Sequence, residues 1–164
     1  MDQDYILCEV HCVRFDVFNK IPVVLLKDKE ESRYLPIWIG MFEATQIEIA
    51  LESVPVPRPM SHDLMKSFLE TFELRPEAVR IHDIIDGTFH AKIMVRQGPE
   101  GSDPVPIDAR PSDAIALSLR METPIYVARR IIEEAAIVGK VPDDEEIQKF
   151  KDFIADIKPS DFQD

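Results

Sequence analysis

The stretch "VPIDARPSDAIALSLRMET" (residues 105–123) changes character in its middle. It opens with a short apolar segment typical of a strand and then passes through Pro111 and the helix-capping residue Ser112. After Asp113 the apolar residues recur at helical spacing. The stretch therefore predicts a strand that leads directly into a helix.

A shift of 70 residues places "LPIWIGMFEATQIEIALES" (residues 35–53) on this stretch. Pro36 then aligns with Pro106, and Glu43 aligns with Asp113. Both segments change from strand to helix at the same point, which indicates a duplicated unit. We therefore expect an α+β fold, in which duplicated strand–helix–strand units combine into a mixed, mostly antiparallel sheet or partial barrel with flanking helices.

Two further patterns lie between the related segments. Ser61 begins a predicted helix, and the hairpin "EAVRIHDIIDGTFHAKIMVR" (residues 77–96) turns at Asp86-Gly87. A hairpin loop with an odd number of residues, with Gly87 at a left-handed bulge position, puts Val79 and Ile81 on the same face as Phe89, Ala91, Ile93 and Val95. The helix after Ser61 is expected to bury the stripe Leu64, Met65, Phe68, Leu69 and Phe72.

Composition limits the classes of function. The chain has 164 residues and a formal net charge of −12, which argues against a protein that coats nucleic acid by charge alone. No apolar run is long enough to span a bilayer, so no membrane association is expected. The N-terminal "MDQDYILCEV" lacks the features of a signal peptide, which favours a cytoplasmic protein. Many short strands with free edges favour a homo-oligomer.

Four segments together resemble the bifunctional nuclease domain family: "LPIWIGMFEA", "RPMSHDL", "IHDIIDGTFHAKI" and "DARPSDAIALSL", in this order. The resemblance covers roughly residues 8–135. The name of the family implies hydrolysis of phosphodiester bonds in both RNA and DNA. We divide the chain into a domain like that of this family, residues 1–135, and an acidic C-terminal helical extension, residues 136–164.

Phosphodiester hydrolysis needs a group that activates water and a group that neutralises the phosphate. Asp108 at a strand end and Asp113 in the first helical turn are candidate catalytic residues and ligands of Mg²⁺ or Mn²⁺. Glu43, the counterpart of Asp113, is a third candidate metal ligand. The alternatives are structural: Asp113 suits the helix dipole, and Asp108 can bond to amides in a turn.

Arg110 and Arg58 share a local pattern, since each precedes a proline, a capping serine and an acid at a helix start. Each arginine could bind a phosphate beside the free N–H groups of its helix, or pair with the nearby acid. Arg110 is a candidate catalytic residue, and Arg58 a candidate substrate-binding residue. His62 is a candidate general base, with a capping role for its segment as the alternative.

The solvent face of the hairpin is expected to carry Arg80, His82, His90, Lys92 and Arg96. In the register chosen above, His82 lies opposite His90, and Arg80 lies opposite Lys92. Like charges across two strands are unfavourable unless a partner neutralises them. This face could therefore bind RNA or DNA, single-stranded forms included, or it could be ordinary polar surface.

Two interpretations remain open from the sequence. The first is a metal-assisted nuclease that acts on RNA and DNA, as the resemblance implies. The second is a non-catalytic module that binds an anion or a protein partner. A nuclease needs convergent carboxylates that solvent can reach, whereas a binding module needs only the helix starts flanked by arginine.

Overall fold

The structure, a computed structural model, describes residues 3–156. Within these residues the chain forms one eight-stranded sheet and, in addition, five helices, which confirms the α+β class. The strands are β1 (Tyr5–Asp16), β2 (Ile21–Asp28), β3 (Arg33–Trp38), β4 (Arg75–Ile85), β5 (Thr88–Arg96), β6 (Val105–Ala109), β7 (Ile125–Ala128) and β8 (Ile137–Val138). The helices are α1 (Met41–Leu51), α2 (Ser61–Thr71), α3 (Pro111–Met121), α4 (Arg129–Ala135) and α5 (Asp144–Ala155).

The strand order in the sheet is β6-β5-β4-β7-β1-β2-β3-β8. Strand β7 lies between the two halves, antiparallel to β1 and parallel to β4. The remaining pairs of neighbouring strands are antiparallel. In the described part of the chain β6 and β8 are the edges, so the sheet stays open rather than closing into a barrel.

The predicted duplication is visible in the order and the bounds of the elements. Helices α1 and α3 begin 70 residues apart and also end 70 residues apart. Each follows three consecutive antiparallel strands, β1-β2-β3 in the first half and β4-β5-β6 in the second. Each half also has a β-bulge at a related place, between Val10 and Cys12 in β1 and between Ile81 and Asp83 in β4.

The hairpin of β4 and β5 buries one face, as expected, but the predicted odd loop is wrong. Asp86 and Gly87 form a two-residue turn, with φ values of 50° and 74°, and Ile85 pairs directly with Thr88. The odd residue lies instead in the bulge at His82. A bulge changes the face to which the side chains after it point. The bulge therefore brings the apolar side chains of β4 and β5 to one face, as the odd loop was expected to do. The buried side chains are Val79, Ile81, Ile84, Phe89, Ala91, Ile93 and Val95.

The main core lies between the helices and one face of the sheet. Helix α3 packs on β4 and β5, and α1 packs on α3 and β2. A smaller cluster on the other side of β2 joins Val23 and Leu25 to Ile147 of α5. Helix α5 also stacks Phe150 on Trp38 of β3, with ring centroids 6.0 Å apart. The acidic helix predicted at the C-terminus therefore completes the fold by covering the second face of β2.

The end of α5 reaches the turn between β4 and β5. A Cβ atom on Gly87 would lie 3.5 Å from the Cα atom of Ala155, and the positive φ of Gly87 disfavours other residues. The hairpin of the second half therefore contacts a helix that mainly covers the first half.

Helix α2 differs most from the expectation, since its apolar stripe faces solvent. Its buried residue is His62, whereas Leu64, Met65, Phe68 and Phe72 are exposed, and Leu69 is half-buried. The helix packs on α3 through the side that carries His62. The amphipathic pattern predicted the helix correctly but predicted its orientation wrongly.

The helices in residues 3–156 are all too short or too polar to cross a lipid bilayer.

Phe150→Ala should lower the free energy of unfolding by about 3–4 kcal/mol, because it removes the ring that packs on Trp38 and leaves a cavity. Phe153 lies on the same helix but is exposed, so Phe153→Ala is the matched control. Urea unfolding followed by Trp38 fluorescence measures both variants. Equal losses for the two substitutions would contradict the packing described for α5.

Candidate functional site

Two related helix starts meet at one arginine. Helix α1 begins after Gly40 and α3 begins after Arg110, and both of these residues have extended backbone conformations. Glu43 and Asp113 lie in the first turns of the two helices. The guanidinium of Arg110 donates from Nη1 to Oε1 of Glu43 at 2.9 Å, and from Nε to Oδ2 of Asp113 at 2.8 Å. The two acids that the duplication relates are therefore bridged by a solvent-exposed cation.

His62 supports Asp113 from inside the protein. Its Nε2 atom lies 2.9 Å from Oδ1 of Asp113. Because a carboxylate can only accept hydrogen bonds, Nε2 is the protonated nitrogen of the ring. The His62 residue is only 4% exposed, and its Nδ1 atom is buried without a hydrogen-bond partner in the described residues. We call Glu43, His62, Arg110 and Asp113 the acid–arginine cluster.

The burial of His62 bears on its predicted role as a general base. A general base must reach the proton that it removes. The only described polar contact of the His62 ring is with the Asp113 carboxylate. This geometry makes His62 a positioning residue, which holds the Asp113 carboxylate in place.

The surroundings of Asp113 keep its carboxylate ionised. Partial burial by itself raises the pKa of Asp113, but the hydrogen bonds from Arg110 and His62, together with the positive charge of Arg110, lower it by more. The net result is a pKa below the usual value of 3.8. Asp113 is therefore charged at neutral pH, and about a quarter of its side-chain surface (24%) remains open to solvent.

Gly40 leaves room for the carboxylate of Glu43. A Cβ atom at position 40 would lie 2.2 Å from Oε2 of Glu43, so any other residue would push this carboxylate away. Gly40 occupies the place in the first half that Arg110 occupies in the second. The two helix starts are thus related in position and different in chemistry.

Arg120, which the sequence interpretation missed, connects the three helices beneath the cluster. Its guanidinium is buried and donates to Oδ1 of Asp63 at 2.8 Å, to the Ala116 carbonyl at 2.8 Å and to Oε1 of Gln46 at 3.2 Å. A signal was present, since Arg120 follows Asp113 by seven residues and so lies on the same side of α3. Its partners on α1 and α2 are distant in sequence, and no local pattern indicates them.

The structure does not bring Asp108 to Asp113. Asp108 pairs with Lys92 across β5 and β6, next to Ala109, which pairs with the buried Ala91. Successive side chains of a strand point to opposite faces, so Asp108 points away from the face that α3 covers. The strand parity therefore argues against Asp108 and Asp113 as a pair of metal ligands, and this pair stays a prediction. The acid that does approach Asp113 is Glu43, its counterpart in the repeat.

Arg58 lies just before α2 and is exposed. In the described residues it has neither an ion pair nor a hydrogen bond, in contrast to Arg110. The nearby acid Asp63 pairs with Arg120 instead of Arg58. Arg58 is therefore a cation available to an anionic ligand near the N-terminus of α2.

The basic side chains of the hairpin lie on the face opposite to α3 and are half-buried. Arg80 pairs with Lys92 as expected, whereas the bulge moves Asp83 opposite His90. The rings of His82 and His90 nevertheless lie 6.5 Å apart. Burial, followed by the charge of Lys92, lowers the pKa of His82.

Two arginines of this face already contact the protein. Arg96 forms an ion pair with Glu77, and the Arg80 guanidinium lies 5.0 Å from the ring centroid of Tyr5. These contacts within the chain thus offset part of the repulsion expected between the like charges of the two strands. The role of this face in binding nucleic acid stays a prediction.

The described residues contain no group of three or more His, Cys, Asp or Glu side chains arranged to hold a metal ion. Glu43 and Asp113 are two hard oxygen donors on either side of Arg110. Mg²⁺ is often bound by one or two carboxylates together with substrate phosphates and water. Glu43 and Asp113 therefore do not by themselves form a closed cage, and their role as metal ligands stays a prediction.

Comparison with known proteins places the chain in a family. A family model described as the bifunctional nuclease domain matches residues 24–140. An uncharacterized protein of Mycobacterium tuberculosis is 35% identical over 162 residues, which cover 92% of this chain and 94% of that protein. The chain therefore belongs to the bifunctional nuclease domain family.

More distant relatives come from plants. Bifunctional nuclease 1 of Oryza sativa subsp. japonica is 26% identical over 109 residues, which cover 66% of this chain and 33% of that protein. Bifunctional nuclease 2 of Arabidopsis thaliana is 26% identical over 128 residues, which cover 73% of this chain and 39% of that protein. The chain thus spans a third to two-fifths of the length of these two plant relatives.

Arg120→Met should lower the free energy of unfolding by about 2–4 kcal/mol, because it leaves Asp63 and Gln46 without their buried donor. The matched control is Arg58→Met, which removes an exposed arginine and should cost less than about 0.5 kcal/mol. Urea unfolding of both variants at neutral pH measures the difference. A loss below 1 kcal/mol for Arg120→Met would contradict the connecting role assigned to this residue.

Asp113→Asn should destabilise the protein by about 1–3 kcal/mol at pH 7, because Arg110 and His62 then lose a charged acceptor. The pKa of Asp113 is lowered in the folded state, so its stabilising contribution is complete above the unfolded pKa of about 4 and disappears as pH falls through the folded pKa. The gap between parent and variant should therefore shrink below pH 4.

Urea titrations at pH 7 and at pH 3 measure this gap. The exposed Asp103, changed to Asn, provides the control and should show no gap at either pH. A gap for Asp113→Asn that is equal at the two pH values would refute the electrostatic account of Asp113.

Proposed function

We propose that this chain is a nuclease that hydrolyses phosphodiester bonds in RNA and DNA at the acid–arginine cluster. The observation that carries the proposal is the convergence of Glu43 and Asp113, from two related helix starts, on the exposed guanidinium of Arg110. Membership of the bifunctional nuclease domain family supports this function, as do the names of the plant relatives.

Arg110 is the residue that would meet the substrate first. Its side chain is 64% exposed, and its position between two carboxylates is held by contacts that a phosphate oxygen can replace. When the guanidinium turns to a non-bridging phosphate oxygen, both carboxylates lose their shared partner. The same movement therefore binds the substrate and exposes the acids to it.

Glu43 and Asp113 would then act on the attacking water. Asp113 stays ionised because its pKa is lowered. The hydrogen bond with His62 keeps the Oδ1 atom of Asp113 in a fixed direction. Either freed carboxylate can accept a proton from water that lies in line with the phosphate. Mg²⁺ or Mn²⁺, bound by Glu43 and Asp113, would neutralise the phosphate and acidify its bound water.

Arg58 would hold the substrate at a second point. It is exposed, and it precedes the helix whose His62 contacts Asp113. Arg58 and Arg110 can each contact a phosphate of one strand without reading base identity. This arrangement suits a nuclease that accepts both RNA and DNA.

The test is cleavage of end-labelled single-stranded RNA and DNA by purified protein, with Mg²⁺, with Mn²⁺ and with EDTA. Asp113→Asn should reduce the cleavage rate by about 100-fold or more, because it removes a charged group that acts on the reacting water. Asp103→Asn, an equal change of charge in an exposed loop, should leave the rate unchanged. As a measure independent of activity, Mn²⁺ should raise the Tm of the parent and have a smaller effect on Glu43→Gln.

Each part of the proposal can fail separately. Cleavage by Asp113→Asn at the parental rate would exclude the cluster as the active site. Cleavage that persists in EDTA would exclude a role for the metal ion, and the carboxylates would remain the proposed general base. A parent protein that binds oligonucleotides or a protein partner without cleaving nucleic acid would instead support the non-catalytic binding module.

A further inference from the structure

The outer face of α2 is apolar and lacks a partner in the described residues. Leu64 is 52% exposed, Met65 is 40%, Phe68 is 57% and Phe72 is 64%. The rings of Phe68 and Phe72 stack on each other, with centroids 6.3 Å apart. Isolated apolar side chains on a surface are ordinary, whereas a contiguous group of four large ones on one helix face indicates an interaction surface.

The same face carries no charge. At 100° per residue, Ser61, Ser67 and Thr71 are the polar side chains that lie on or beside it, and the half-buried Leu69 borders it. The charged residues of α2 are on its other sides: Asp63 pairs with Arg120, and Lys66 lies 3.9 Å from Glu70. A charge-depleted aromatic centre is typical of protein–protein interfaces. It does not suit nucleic acid, because no cation lies there to meet the phosphates.

We propose that this face of α2 (Leu64, Met65, Phe68 and Phe72) binds the same face of a second copy of the chain, as a twofold dimer. A surface without charge is where two copies that each carry a net charge of −12 repel each other least. An identical copy supplies the matching apolar surface, as a twofold contact between equal patches requires. The ridge Leu64–Phe68–Phe72, at intervals of four residues, is also the kind of ridge that packs between the ridges of another helix.

The size of the face is sufficient for such a dimer. With about 150–250 Å² for a whole aromatic side chain, the exposed fractions amount to roughly 400 Å² of apolar surface per copy. Since about 60% of an interface is apolar, a face of this size corresponds to a total buried area of roughly 1,300 Å². Stable specific interfaces bury about 1,200–2,000 Å² in all.

The dimer would also secure the helix that supports the candidate site. In one copy α2 buries only His62 fully, and its first turn is held by polar contacts from His62 to Asp113 and from Asp63 to Arg120. Packing against a second α2 would add apolar contacts along the rest of the helix. The contact lies on α2 and is distinct from the strand edges that the sequence first indicated as a route to oligomers.

Sedimentation velocity over the micromolar range tests the proposal. The parent should sediment as a dimer of the 18.8 kDa chain. Phe68→Glu should raise the dimer Kd about thirtyfold or more, because it places a charge at the centre of the apolar contact. The matched control is Phe18→Glu in the turn between β1 and β2, since Phe18 is also 57% exposed.

Both variants should keep the parental circular dichroism spectrum, because neither ring is buried. A monomeric parent, or a dimer that survives Phe68→Glu, would overturn the proposal. Equal dissociation by Phe18→Glu would overturn it as well, since the effect would then not depend on α2. Binding of a labelled single-stranded oligonucleotide tests the remaining alternative. If the parent is a monomer and Phe68→Glu weakens its binding of the oligonucleotide, the apolar face of α2 binds unpaired bases instead of a second copy.

Discussion

The buried guanidinium of Arg120 determines how the three helices of the candidate site are arranged. A charge removed from water must be paired, and Arg120 finds its acceptors on Asp63 of α2, on Gln46 of α1 and on its own helix. These contacts hold the N-terminus of α2 against α3. The position of α2 then places His62 behind Asp113, and Asp113 in turn holds Arg110. The geometry of the acid–arginine cluster thus depends on a buried cation that is not itself part of the cluster.

A duplicated fold provides two similar helix starts, and the cluster uses their differences. Helices α1 and α3 have the same length and lie side by side, so their first-turn acids approach each other. Only the second half has an arginine before its helix, while the first half has Gly40 and space for the Glu43 carboxylate. One cation therefore serves two acids, and the pair needs no second arginine. The two helices that the duplication relates thus share one arginine, and the site has only one guanidinium at its centre.

Helix α2 shows how polar contacts can override an amphipathic pattern. Apolar side chains usually turn inward because burial is favourable. Here the inward side carries His62 and Asp63, whose partners Asp113 and Arg120 are fixed on α3. Buried ionic groups stabilise only when each has its partner, so α2 has to turn this side to α3 even though its apolar stripe then faces water. The candidate site and the apolar surface are consequently two sides of one helix.

Local patterns determine those features of this chain that depend on spacing along the sequence. They include the α+β class, the duplication at 70 residues, the starts of α1 and α3, and the buried face of the hairpin. Propensity and periodicity act between near neighbours, and a sequence shows them directly. The predicted caps were wrong, because α2 and α3 begin after Met60 and Arg110 and neither Ser61 nor Ser112 is the N-cap. The tertiary structure decided the remaining features: the bulge at His82, the side that α2 turns inward, the face on which Asp108 lies, and the meeting of Glu43 with Asp113 at Arg110. Each of these depends on which distant residues pair or pack, because strand parity, helix orientation and ion pairing are set by contacts between segments far apart in the chain.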